Sequence, residues 1–101
     1  MRIQVEKIVG PHCTEYEQGD RIFAEIRKGL DAGEIVEVDM QGVQLATSAF
    51  FNAAVGPLYN LYPRNVLQAK MKLLHLSPEM QQVLLRSLDA ARKFYAETPS
   101  G

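Results

Sequence analysis

The chain has 101 residues, of which 47% are hydrophobic, and this is the usual size of one domain with enough apolar material for one buried core. A formal net charge of -1 gives no long-range attraction to polyanions, so nucleic acid is not expected as a partner. The single cysteine, Cys13, cannot form an internal disulfide, and no apolar run approaches the roughly 20 residues that cross a bilayer, so we expect a cytoplasmic protein without membrane contact.

The first half of the chain predicts a strand, a helix and a second strand. Residues 2–9 alternate polar and apolar side chains, which indicates a half-buried strand near a sheet edge. Apolar residues recur at helical spacing over residues 15–30, and Gly33 supplies the glycine expected after a helix. Residues 34–40 are rich in β-branched side chains and lie between glycines, which favours a central strand.

A second helix is predicted over residues 47–62, which carry one apolar face. Thr47 or Ser48 is placed to cap its N-terminus. Pro57 removes a hydrogen bond inside this stretch, so we expect a kink or an early end near Gly56.

The last third of the chain predicts a strand and a third helix. Residues 63–65 break the helical pattern, and residues 70–76 indicate the strand. Ser77 can cap the helix that follows, and Pro78 fits its first position. Apolar residues then recur every three or four positions, and residues 98–101 are expected to form a flexible tail.

The alternation of strands and helices has no linker or repeat to divide it, so residues 1–97 are predicted to form one domain of the α/β class. Such alternation favours a sheet with parallel neighbours. A two-layer arrangement is expected, and a sheet covered on both faces is the alternative.

The residues that carry chemistry are few and scattered. Only His12, His75 and Cys13 offer nitrogen or sulfur ligands, so neither a metal nor a cofactor is expected. The sequence contains no nucleophile elbow and no phosphate-binding glycine loop. We therefore expect no catalytic residue, and an enzyme that uses Cys13 or His12 is the last-ranked hypothesis.

One stretch does suggest a binding site, because a buried strand leads into the hydroxyl pair Thr47 and Ser48 at a helix start. A helix N-terminus exposes unpaired N–H groups and the positive end of the dipole, so it can hold a phosphate or another anion. The alternative is that Thr47 or Ser48 serves only as a cap.

This stretch and its surroundings resemble the STAS domains, and more closely the STAS-like bacterial domains that accompany histidine-kinase-type ATPases. The segments that carry the resemblance are residues 14–20 (TEYEQGD), 35–43 (IVEVDMQGV) and 46–52 (ATSAFFN). The resemblance implies a single STAS-like domain over residues 1–97, with a mixed sheet of about four strands and about three helices packed mainly on one face. It also implies a non-enzymatic regulatory module that binds a histidine-kinase-type ATPase or an anti-sigma-like regulator.

In anti-anti-sigma relatives, phosphorylation of a serine in an Asp-Ser-Ser-Gly or Asp-Ser-Thr-Gly motif abolishes partner binding. Laid on that motif, Ala46 replaces the aspartate, Thr47 takes the phosphorylated position, Ser48 the next hydroxyl, and Ala49 replaces the glycine. The resemblance thus implies a candidate phosphorylation or anion site at Thr47 and Ser48, with Ser48 as the better-supported polar anchor.

The residues predicted to bind a partner are Asp39, Thr47, Ser48, Asn52 and Tyr59. The alternative function is a small-ligand or nucleotide-binding domain that uses the same helix N-terminus. Self-association, as a homo-oligomer formed through the first strand or the Phe50–Phe51 pair, stays open.

Overall fold

The computed structural model describes residues 1–97, with side chains up to Lys93. The elements are, in chain order, β1 (Arg2–Gln4), α1 (Val5–Val9), β2 (His12–Cys13), α2 (Tyr16–Asp31), β3 (Val36–Asp39), β4 (Leu45–Ala46), α3 (Ser48–Ala54), α4 (Leu58–Leu61), α5 (Arg64–Lys70), β5 (Met71–Leu74) and α6 (Pro78–Glu97). The tail predicted at residues 98–101 lies outside the described residues.

The strands form two small sheets, one with the order β1-β3-β5 and one that pairs β2 with β4. Every pairing among the described strands is parallel. The α/β class, the central position of β3 and the edge position of β1 are therefore confirmed. The expected single mixed sheet of about four strands with about three helices is wrong, because residues 1–97 contain five strands in two sheets and six helical segments.

The strand predicted over residues 2–9 ends early, because the chain turns into α1 at Val5. Val5, Ile8 and Val9 have helical spacing, so one side of a short helix can face the core. Val5 is fully buried, and the other two residues pack against the core from its margin. The apolar residues that follow Ile3 thus fit the spacing of a helix as well as that of a strand.

The break predicted at residues 63–65 is instead the start of α5. Pro63 has a φ of -60° and stands directly before the first helical residue, where a missing N–H costs nothing. The early end predicted near Gly56 is confirmed, because α3 stops at Ala54 and α4 starts only at Leu58.

The core lies between the three-stranded sheet, α2 and α3. Its largest fully buried side chains include Phe50, Phe51, Ile22, Ile26, Met40 and Leu58. Gly19 of α2 lies against the backbone of α3, where an added Cβ would be 2.5 Å from the Phe50 carbonyl oxygen. Gly29 allows an equally close approach of α2 to Val36 of β3. Two glycines therefore let α2 contact both α3 and the sheet closely.

The three-stranded sheet has an apolar face toward the core and a polar face. On the core side, the register aligns Ile3, Val38 and Leu73. The neighbouring row on the polar side consists of Arg2, Glu37 and Lys72. The last row on the polar side consists of Gln4, Asp39 and Leu74, at the carboxyl edge where all three strands end.

The longest helix is α6, and its start is the predicted one. Ser77 Oγ accepts a hydrogen bond from the backbone N–H of Met80 at 3.2 Å. Met80 and Leu84 are buried on the side that packs toward α3. Neither α6 nor any other helix within residues 1–97 has the length and apolar character needed to cross a membrane.

Candidate functional site

Thr47 joins β4 to α3 and is fastened to the segment that follows β2. Its backbone N–H donates to the Cys13 carbonyl at 2.9 Å, and its hydroxyl donates to the Thr14 carbonyl at 3.3 Å. The hydroxyl oxygen accepts the N–H of Phe50 at 3.4 Å, which makes Thr47 the N-cap of α3. The half-buried Thr47 hydroxyl is thus engaged in positioning α3.

Ser48 and Asn52 form the exposed side of α3, and we call these two residues the α3 stripe. Both side chains are exposed, and they lie one helical turn apart. The buried residues of the same helix are Phe50, Phe51, Ala53 and Ala54. Because α3 packs against both α2 and α6, only this narrow polar stripe faces outward.

Tyr59, on α4, is engaged within the protein. Its ring packs against the core, and the guanidinium carbon of Arg92 on α6 lies 5.9 Å from the ring centroid. At this distance the cation and the ring attract each other. Tyr59 therefore connects α4 to α6, in contrast to the open α3 stripe.

A second cluster surrounds Asp39, the last residue of β3. One carboxylate oxygen accepts the N–H of Gln41 at 3.0 Å and lies 2.7 Å from His75 Nδ1. The other oxygen lies 3.9 Å from a guanidinium nitrogen of Arg2. The Asp39 side chain is only 3% exposed, but the Arg2 and His75 side chains that cover it are 50% and 54% exposed. The side chains of Arg2 and His75 therefore lie between this carboxylate and the solvent.

These contacts decide the charge state of Asp39. The hydrogen bond from the Gln41 N–H, with the one from His75, lowers the pKa of the Asp39 carboxyl and outweighs the desolvation that would raise it. The charges of His75 and Arg2 act in the same direction. An ionised carboxylate can only accept, so Nδ1 of His75 donates in this hydrogen bond, and whenever the ring is neutral its lone pair lies on Nε2.

His75 directly follows β5 and has a φ of 59°, in the left-handed region that residues other than glycine rarely adopt. Such a conformation costs about 1 kcal/mol. The strand predicted over residues 70–76 therefore ends too late, since β5 stops at Leu74. His75 falls within the predicted strand, whereas it lies half-exposed after the strand end and bonds to Asp39.

A polar cleft of about 340 Å³ opens beside Asp39 at the carboxyl edge of the sheet. Its lining consists of Gln4, Glu6, Lys7, Asp39, Gln41 and Gly42. Carboxyl edges of parallel strands are where α/β proteins commonly bind ligands. The lining includes both acidic and basic side chains, so it does not select one sign of charge.

The predicted site residues fall into separate neighbourhoods. Thr47 caps α3 and Ser48 and Asn52 lie on it, whereas Asp39 is the last residue of β3, in the other sheet. In the described part of the chain, Asp39 and Thr47 share no hydrogen-bond partner. Arg2 and His75 were not predicted as site residues. A usable signal was present for His75, because Asp39 ends β3 and His75 directly follows β5, and the carboxyl ends of parallel strands meet at one edge of a sheet.

The remaining candidates, His12 and Cys13, lie on β2 and differ in exposure as alternating strand residues do. His12 is exposed and Cys13 is fully buried. Burial raises the pKa of the Cys13 thiol to about 11. Within the described residues, no three His, Cys, Asp or Glu side chains are grouped so that they could hold a metal ion.

Together these features define a small α/β domain with parallel strands and an exposed polar helix start. A family model described as a STAS-like domain of unknown function (DUF4325) matches residues 18–81, more than half of the chain. The protein therefore belongs to this family of STAS-like domains. No curated protein and no solved structure matches the chain.

Proposed function

We propose that this STAS-like domain is a non-enzymatic regulatory module that binds a histidine-kinase-type ATPase or an anti-sigma-like regulator through the start of α3. The observation that carries the proposal is the α3 stripe, a pair of exposed polar side chains on a helix that is otherwise buried. The resemblance of residues 46–52 to the helix start at which anti-anti-sigma relatives are phosphorylated supports a binding role for this helix.

The stripe is presented on a rigid support. Thr47 fastens the helix start to the end of β2 by backbone and side-chain bonds. Phe50 and Phe51 pack edge to face, with 5.3 Å between their ring centroids, and anchor the helix in the core. A preformed surface loses little conformational entropy on binding, so even a small polar contact area can contribute to affinity.

We further propose that Ser48, rather than Thr47, is the residue at which phosphorylation regulates binding. The Ser48 side chain is exposed, whereas the Thr47 hydroxyl is half-buried and committed to the cap. A phosphate at Ser48 would add about two negative charges, which oppose docking on an acidic partner surface. At the N-terminus of α3 the helix itself tolerates that charge, because the helix dipole is positive there.

The test begins in the native cell with a photo-crosslinking residue at position 52, and with the same residue at position 82 as a matched control. Gln82 is exposed on α6, away from the α3 stripe in sequence and element. We expect position 52, and not position 82, to capture an ATPase or an anti-sigma-like regulator, identified by mass spectrometry.

Calorimetric titration of the purified partner then measures the contribution of the stripe. Ser48→Asp should weaken binding by about tenfold or more, because it places a charge at the contact, whereas Gln82→Asp should leave the affinity unchanged. Equal crosslinking at both positions, or wild-type affinity in both Ser48→Asp and Asn52→Asp, would show that α3 is not the docking surface.

A further inference from the structure

We propose that His75 accepts a phosphoryl group on Nε2, so that the protein carries a second, histidine-based modification site at the carboxyl edge of the three-stranded sheet. The donor is an activated phosphoryl compound, in which a weak P–N or P–O bond joins phosphorus to a good leaving group. This site is distinct from the α3 stripe and does not depend on the partner proposed for that stripe.

The hydrogen bond between Asp39 and His75 orients the imidazole for this role. An Asp39 carboxylate oxygen lies 2.7 Å from Nδ1, so in the neutral ring the proton is on Nδ1 and the lone pair is on Nε2. A carboxylate that orients and supports a histidine ring is a common way to make the other nitrogen a base or a nucleophile. The His75 side chain is 54% exposed, so a donor can approach.

The pair is also preorganised by the backbone. The register sets Asp39 opposite Leu74, and the Met40 N–H donates to the Leu74 carbonyl at 2.9 Å. His75 follows at once in a left-handed conformation, with a φ of 59°. Uncommon backbone conformations of this kind concentrate at functional sites, where the surrounding structure maintains them.

The charges at this edge accommodate a phosphoryl group. Arg2 lies against Asp39 and also within 3.6 Å of Glu37, and its side chain is half-exposed. Lys7 lines the adjoining cleft, together with Glu6. These groups are three carboxylates and two cations, and of the cations Arg2 offers a planar group that can bind phosphoryl oxygens.

In the proposed step, the Nε2 lone pair of His75 forms a bond to phosphorus while the bond between phosphorus and the leaving group breaks. The leaving group departs with that electron pair, as ammonia when the donor is phosphoramidate. The Nδ1 proton stays in the bond to Asp39, and the carboxylate balances the positive charge that the ring acquires. No electron transfer is required.

The experiment incubates the full chain with phosphoramidate and follows the intact mass and the ³¹P NMR signal. Phosphate on histidine is lost in acid and kept in alkali, whereas phosphate on Ser48 or Thr47 survives acid, so the two proposals are distinguished. Peptide mapping compares His75 with His12, the exposed histidine of β2, within the same wild-type molecule.

We expect His75 to be labelled at least about tenfold faster than His12, and Asp39→Asn to reduce the His75 rate by about tenfold or more. His75→Gln should abolish the acid-labile phosphate, and His12→Gln should keep it. Equal labelling of the two histidines in the wild type overturns the proposal, even where Asp39→Asn fails to fold. An unchanged His75 rate in a folded Asp39→Asn variant also overturns it.

Discussion

Replacing Gly19 with alanine tests whether the start of α3 is positioned by direct contact with the backbone of α2. The new Cβ would lie 2.5 Å from the Phe50 carbonyl oxygen, 2.6 Å from the Ala53 Cβ and 3.1 Å from the Ala54 nitrogen. Two of these atoms belong to the backbone of α3, so no side-chain rotation can relieve the overlap. The helices themselves must separate.

Two effects of opposite sign determine the size of the change. Alanine is favoured over glycine inside a helix by about 1 kcal/mol. Ordinary contact begins at 3.4 Å, so α3 must move by about 0.9 Å against the anchoring of Phe50 and Phe51 in the core. Overpacking of this kind costs about 3 kcal/mol at the upper end of its usual range. We therefore expect Gly19→Ala to lower the free energy of unfolding by about 2 kcal/mol.

Urea unfolding followed by circular dichroism measures this change, and Ala24→Gly provides the matched control. Ala24 lies in the same helix with its side chain exposed, so its replacement should cost only the propensity difference of about 1 kcal/mol. If Gly19→Ala instead stabilises the protein by about 1 kcal/mol, propensity alone acts at this position and the close contact between α2 and α3 does not exist.

Two further predictions concern titrating groups. Because the pKa of Asp39 is lowered in the folded state, its carboxylate contributes stability above the ordinary value of 3.8 that is lost as the pH falls through the lowered pKa. Below pH 3.8, the thermal unfolding midpoint of Asp39→Asn should thus fall less steeply than that of the wild type, and parallel slopes would contradict the assignment. For Cys13, a pKa of about 11 against 9.0 for an ordinary thiol means about a hundredfold less thiolate, so iodoacetamide should label the native protein at least that much more slowly than the protein unfolded in urea. Similar rates in both states would show that the thiol is accessible.

Long and uniform patterns in the sequence predicted their elements well. Helices α2 and α6 keep one apolar side over several turns, and β3 lies in a stretch rich in β-branched side chains between glycines. The early end of α3 also followed from local chemistry, since Pro57 cannot donate the hydrogen bond that a continuous helix needs. Such features depend on neighbours in sequence, and these are visible without the fold.

Short elements were harder to predict, because a few apolar residues can fit the spacing of a strand and that of a helix at the same time. Ile3 and Val5 alternate like a strand, while Val5, Ile8 and Val9 repeat like a helix. The choice between them is made by tertiary contact, since Val5 is fully buried where the chain turns. Pro63 is a similar case. From the sequence it predicts a break in the helical pattern, but in the structure it immediately precedes α5.

The contact between Asp39 and His75 illustrates what a local reading of the sequence misses. The two residues are far apart in the chain, and only the β3-β5 register brings their strand ends together. The structure encloses Asp39, a predicted partner-binding residue, between Gln41, His75 and Arg2. Its neighbourhood follows from topology rather than from the motif around it.

The register of the three-stranded sheet also bears on the order in which the protein folds. Arg2 pairs with Glu37 and Val36 pairs with Met71, and both pairings join residues 35 positions apart. Equal loop lengths carry equal closure entropy, so the local stability of each connection decides which edge strand docks first. The connection to β1 contains one long helix, α2, whereas the connection to β5 is divided among α3, α4 and α5. Long helices form more readily, so we expect β5 to dock last and to open first in native fluctuations. The hydrogen bond between Asp39 and His75 is then made at the final step of assembly, and its presence reports that the whole sheet is complete.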